Sequence, residues 1–198
     1  MSAEESGGGE PREQRRRLLV LAALNVVVFG VEAIAAVSIG SFSAFFESLE
    51  LMEGGLSLAI LAVTPHWSMW VRYLVTGCAA LSGAAAVSVA AYLLWPRGAP
   101  FTAMSALIWL VVAAASITVN AVTFVALRSF RGREHGTGRL GYLGARADVW
   151  SGVAVMMAAV ATYLLRSRWP DLYASLIVIL IHVITLGQMA GHSAKRGK

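Results

Sequence analysis

Three carboxylates, Glu47, Glu50 and Glu53, fall inside one helix-length apolar stretch, Phe42 to Val63, and a later apolar stretch contains Asp148. An acid at the centre of a membrane span costs roughly 2.5–3.5 kcal/mol to insert, whereas each Leu, Ile, Phe or Val returns only about 0.3–0.6 kcal/mol. As a lone lipid-facing helix this segment is unstable. It persists only if its acids face other helices, water, protons or a bound cation, so the chain must fold around a polar interior. Cation handling is the first functional expectation.

The chain has 198 residues, of which 58% are hydrophobic and 14% charged, and its mean hydropathy is +0.69. Those values belong to a polytopic membrane protein. Runs of about 20 residues or more, enough to cross a bilayer, occur at Leu18–Ile39, Phe42–Val63, Val71–Trp95, Phe101–Leu127, Leu140–Leu165 and Leu172–Ala190. The expected fold is an all-α bundle of six transmembrane helices over residues 18–190. A disordered polar tail is expected over residues 1–17 and a short basic tail over 191–198. Gly40-Ser41 predicts a minimal turn, Pro65 and Pro96 end the second and third helices, and Pro170 opens the sixth.

Positive residues set the orientation. Arg12, Arg15, Arg16, Arg17, Arg72, Arg128, Arg131, Arg133, Arg139, Lys195, Arg196 and Lys198 fall on one side, and Arg97, Arg166 and Arg168 on the other. Positive loops stay in the cytoplasm, so both termini are expected there. The net charge of +5 then reflects topology and attraction to the headgroups of the lipid bilayer. A nucleic-acid partner is a poor explanation, because no basic patch is interleaved with aromatics. The single cysteine, Cys78, excludes an intrachain disulfide and reads as a packing residue. Arginine is far commoner than lysine and alanine, valine and glycine are abundant, as in a GC-rich bacterium, which places the chain in a plasma (inner) membrane.

Inside the spans the ionisable groups are Glu32, Glu47, Glu50, Glu53, Arg146, Asp148 and His182, with Asn25 and Asn120 as neutral companions. Glu47, Glu50 and Gly54 share one helical face, and Glu53 turns about 60° away from Glu50. Carboxylates crowded in a low dielectric compete for protons and cations, so metal and proton are expected to displace one another. The bland alternatives are interhelical hydrogen bonds between protonated acids, pairing with Arg146, packing roles for Asn25, Glu32 and Asn120, and a satisfied core histidine at His182. His66, His135 and His192 make no metal-ligand spacing.

The ordered pattern resembles the membrane domain of the cation diffusion facilitator (cation efflux) family. The resemblance is carried by Arg15-Arg16-Arg17-Leu18, Leu24-Asn25 and Val31-Glu32 in the first helix and by Ser41-Phe42-Ser43-Ala44-Phe45-Phe46-Glu47-Ser48-Leu49-Glu50 in the second. Val119-Asn120 with Leu127-Arg128, Arg146-Ala147-Asp148-Val149 with Gly152-Val153-Ala154-Val155, and Arg168-Trp169-Pro170-Asp171-Leu172 extend it through the later helices. It implies a proton-coupled exporter of divalent cations such as zinc, assembled as a homodimer, with ligand pairs on the second and fifth helices. On this chain those pairs fall on Glu50 with Gly54 and on Gly144 with Asp148. Two of the four have no side chain, and Glu47 or Glu53 is expected to supply a substitute oxygen. The chain lacks a histidine-rich loop, and with eight residues after the last predicted helix it is expected to be a short form with only the transmembrane domain.

The expected function is therefore export of a divalent metal cation by antiport with protons, with Glu50, Asp148, Glu47 and Glu53 as the metal site and no tightly bound cofactor. Oxygen ligands alone suit manganese or magnesium as well as zinc. A transport-inactive scaffold or regulatory protein with a degenerate site is the alternative. No nucleophile with a base, and no cofactor motif, suggests an enzyme. The asymmetry of positive residues also makes a topological prediction. A Gly8→Cys variant should resist an impermeant thiol reagent in intact cells and react after lysis, and labelling in intact cells overturns the orientation.

Overall fold

The computed structural model describes residues 10–64, 71, 74–75, 77–79, 81–82, 84–85, 88, 103–128 and 137–194. Among the described residues every regular element is an α-helix. They are α1 (Glu10–Ile39), α2 (Phe42–Val63), α3 (Ala103–Leu127), α4 (Thr137–Leu165) and α5 (Trp169–Ala194). These correspond to the first, second, fourth, fifth and sixth expected spans. Most of the expected third span, Val71–Trp95, lies outside the described residues, as do residues 1–9 and the end of the basic tail.

The α1–α2 hairpin follows from two residues. Gly40 adopts φ 70°, a left-handed conformation natural to glycine. From there its N–H reaches the Val37 carbonyl at 3.3 Å and the Ser41 N–H reaches the Ala36 carbonyl at 3.0 Å, the paired bonds of a Schellman end. Ser41 then caps α2, its hydroxyl accepting from the Ala44 N–H at 3.2 Å. The other end of α2 closes at Thr64, whose N–H and hydroxyl both donate to the Ile60 carbonyl. Sequence and structure agree on both ends of α2.

Asp171, in the first turn of α5, ties that helix to the start of α2. Its carboxylate accepts from the Ser41 hydroxyl at 2.9 Å, the Phe42 N–H at 2.9 Å, the Ser43 N–H at 2.9 Å and the Ser43 hydroxyl at 2.6 Å. A negative group at a helix N-terminus meets free N–H donors and the positive end of the helix dipole. The sequence signals Asp171 only as the opening of a helix.

Two apolar clusters lie towards opposite ends of the bundle. One joins Ala36, Ile39, Phe45, Trp109, Ala113, Val155, Ala158, Ala159, Ala174 and Val178, beside the α1–α2 turn. The other joins Leu18, Leu21, Ala22, Leu58, Ala62, Leu127 and Ala145. The many alanines let helix backbones approach closely, as membrane bundles require in the absence of a hydrophobic drive between helices. Buried between the clusters is a polar layer that includes Asn25, Glu32, Glu47, Ser48, Glu50, Ser116, Asn120 and Ser151. Outward faces are apolar instead, with Val27, Val31 and Ile34 on α1, Leu107 and Val125 on α3, Leu164 on α4 and Leu176 on α5 all exposed.

Polar groups inside and apolar groups outside suit a lipid environment. Three helices are long and apolar enough to cross a membrane, within Arg12–Ile39, Met104–Leu127 and Tyr142–Leu165. For α2, any 18-residue window contains Glu47, Glu50 and Glu53, which lowers its apolar character. The N-terminal boundary needs correction. Residues 10–17, expected to be disordered, form the first turns of α1, because they are rich in helix-forming Glu, Gln and Arg and because Glu13 pairs with Arg17 one turn on. α5 likewise starts at Trp169 and continues to Ala194, beyond the limits of the expected apolar run.

Asp171→Ala should lower stability by about 2–4 kcal/mol, since it leaves several buried donors without an acceptor. Denaturant unfolding in detergent measures this, and a change within error contradicts a structural tie between α2 and α5.

Candidate metal centre

The packing of α2, α4 and α5 brings Glu50 of α2, Asp148 of α4 and His182 of α5 together in the polar layer. His182 Nδ1 lies 3.1 Å from Glu50 Oε1, and His182 Nε2 lies 3.3 Å from Asp148 Oδ1. One potential ligand atom from each residue lies within 4.8 Å of the other two. Four ligands around zinc at about 2.0–2.2 Å stand roughly 3.3–3.6 Å from one another, so a modest contraction would place these three on one ion. Glu50 is buried, and Asp148 and His182 are partly exposed, which gives the group a closed side and an accessible one.

Neighbouring polar groups hold the three in place. The Asn120 amide donates to the Asp148 backbone carbonyl at 3.4 Å, linking α3 to α4 at the site. His182 Nδ1 also faces the Val178 carbonyl at 3.0 Å, one turn earlier in α5. Both ring nitrogens thus meet acceptors, an arrangement matched by the two N–H donors of an imidazolium. Among the described residues no donor meets hydrogen-bond geometry at Glu50 Oε2, and the Ser151 side chain is the polar neighbour of this carboxyl.

The structure distributes the expected site residues unevenly. Glu50 and Asp148 come together as the sequence suggests. Glu47 and Glu53, expected to supply the missing oxygens, are not members of the three-residue group. Glu47 is fully buried and lies against the Glu32 carboxyl of α1. Glu53 is exposed on α2 but remains within electrostatic reach of Asp148 and His182. Arg146 is exposed and lines a groove of about 770 Å³ between α4 and α5 with Trp150, Met157, Tyr173 and Ile177. Pairing with Arg146 is the alternative to a metal for these acids; the residue between Glu50 and Asp148 is His182.

His182 is the residue that sequence reasoning misses. A lone imidazole has no spacing partner within its own helix, so it reads as a satisfied core histidine. The available signal is its position as the only acid or base of an otherwise apolar span, in a chain whose first two spans carry excess acid. At Gly54, the Asn25 Oδ1 stands 3.5 Å from the place a Cβ would take. The first helix therefore fills the space beside that missing ligand, while the Asn25 amide donates to the Leu21 carbonyl at 2.8 Å and the Thr123 hydroxyl at 3.3 Å. Gly152 brings α4 close to α2 and α3, because a Cβ there would stand 2.7 Å from Glu47 Oε1 and 2.5 Å from Ile117 Cγ1.

In comparisons with known proteins, no family model, no curated protein and no solved structure matches the chain.

The close approach at Gly152 has a measurable consequence. Gly152→Ala should destabilise the protein by about 1–3 kcal/mol, the usual cost of overpacking a tight contact, and should weaken the α3–α4 packing next to the polar layer. Thermal unfolding in detergent reads the loss; an unchanged or raised midpoint shows that the helices separate without cost.

Proposed function

We propose that this protein is a secondary transporter that moves a divalent metal cation across a membrane in exchange for protons, with Glu50, Asp148 and His182 as its metal ligands. The observation that carries the reading is the convergence of these three side chains from three helices inside the bundle. Buried acids with a histidine between them are costly in an apolar medium and are usually retained for ion or proton traffic. The resemblance to cation diffusion facilitators supports the same class. A bacterial plasma membrane and a homodimer belong to this proposal.

Chemistry links the two ions. Between two carboxylates there is room for an imidazolium or for a divalent cation bound to neutral imidazole, and the two are mutually exclusive. Metal arriving from the cytoplasmic side displaces protons from the site, and protons returning from the other side displace the metal. A nitrogen donor beside two oxygens shifts the preference from magnesium towards zinc or another transition metal. Water or the second Glu50 oxygen completes the coordination. The exposed apolar faces of the helices support a location of this exchange within the bilayer.

The test is metal binding to the purified protein, followed by transport in proteoliposomes with an imposed pH gradient. Zinc or manganese binding should weaken as pH falls, and Glu50→Gln, Asp148→Asn and His182→Ala should each reduce affinity by at least about tenfold, since even an outer-shell partner commonly contributes that much. A protein that binds no divalent metal is instead a scaffold, in which His182 neutralises Glu50 and Asp148 as an internal ion pair and Gly54 and Gly144 mark a lost site.

A further inference from the structure

A second group of buried acids lies outside the three-residue site. Glu32 of α1 and Glu47 of α2 are both fully buried, and their carboxyl groups are close enough to share a hydrogen bond. Ser116 of α3 donates to Glu32 Oε2 at 2.5 Å. The remaining Glu32 oxygen and both Glu47 oxygens have no hydrogen-bond donor among the described residues. Three buried acceptor oxygens at one place require a positive or donating occupant.

The packing decides which occupant. Glu47 Oε1 lies 2.7 Å from the position of a Cβ at Gly152, and Ile117 Cγ1 lies 2.5 Å from the same position, so backbone and side chains close on the carboxyl. A hydrated cation needs several further oxygen ligands and the space to hold them. A proton needs neither. Shared between the two carboxyls, it turns one of them into the donor that the other lacks.

We propose that Glu32 and Glu47 form a proton-binding site distinct from the metal ligands, occupied by one proton held between them. The groups facing this pair from the surrounding helices are Ser116 on α3, Glu50 on α2 and Asp148 on α4, with His182 on α5 beyond them. Glu50 and Asp148 act on the pair through their charge. A divalent cation bound among Glu50, Asp148 and His182 lowers the negative potential at Glu47 and favours release of the shared proton. The pair is then one carrier of the counter-transported proton, a role that rests on the transport reading; the proton site itself does not.

Infrared spectroscopy of the full chain in detergent, recorded as a pH titration, tests the site. A carbonyl band of a protonated carboxylic acid should be present and should disappear reversibly as the pH is raised. Glu47→Gln and Glu32→Gln should each abolish it, because the new amide donates to the remaining carboxylate in place of the proton. Both variants should stay folded for the same reason, and a thermal melt checks this. The band should persist in Glu50→Gln. If no band is removed by either Gln substitution, or if only Glu50→Gln removes it, the proposal is overturned. Zinc titration of the same samples is the independent readout. Retained zinc binding in Glu47→Gln separates the proton site from the ligands. Absence of zinc binding in the parent with the band intact removes the transport reading and leaves the proton site standing.

Discussion

The fold is organised by the cost of placing acids in an apolar bundle. Glu32, Glu47 and Glu50 are buried and Asp148 is largely so, so each must find a donor, a proton or a cation within reach of its own helix. The structure meets this demand in two ways. His182 bridges Glu50 and Asp148, and Glu32 and Glu47 face one another with Ser116 at their edge. Removing either arrangement would strand charge in the centre of the molecule, where it costs most.

The apolar parts of the bundle exist to hold that layer in register. Ala36, Ala113, Ala158 and Ala174 allow close helix contact on one side of it, and Leu18, Leu58 and Leu127 fill the other. The Asp171 tie fixes the start of α5 against the start of α2, and the register of those two helices decides whether His182 meets Glu50. A slip of one residue along α5 would rotate His182 by about 100° and end the contact. The capping chemistry at one end of the bundle thus determines the geometry of the acidic layer farther along it.

Much of this architecture is legible in local sequence signals. Gly40-Ser41 can only be a turn, since a left-handed glycine followed by a capping serine is a strong stop and start. The ends of α2 follow from that turn and from Thr64-Pro65. Placement of Glu50 and Asp148 in one interior follows from insertion energetics, because two acid-bearing helices cannot both face lipid. The start of α1 is less clear, as the change from apolar to polar residues at Leu18 marks the edge of a span but not the end of helical hydrogen bonding. The 29 residues of α4 and 26 of α5 exceed their apolar runs for the same reason.

Hydropathy, helix length and turn chemistry are local quantities, and they suffice to dictate a chain that is helical, apolar outside and acidic within. The pairing of the acids is a different matter, set by how the helices pack. Glu47 and Glu53 lie one turn either side of Glu50, and spacing along α2 cannot tell which of them faces α1, α4 or solvent; helix rotation and the glycine contact at Gly152 settle that Glu47 meets Glu32 and Glu53 stays exposed. His182 stands 34 residues from Asp148 and farther from Glu50, with no periodicity to connect them. Its place between the two acids arises from the packing of α5 on α2 and α4, a long-range relation that no window of sequence contains.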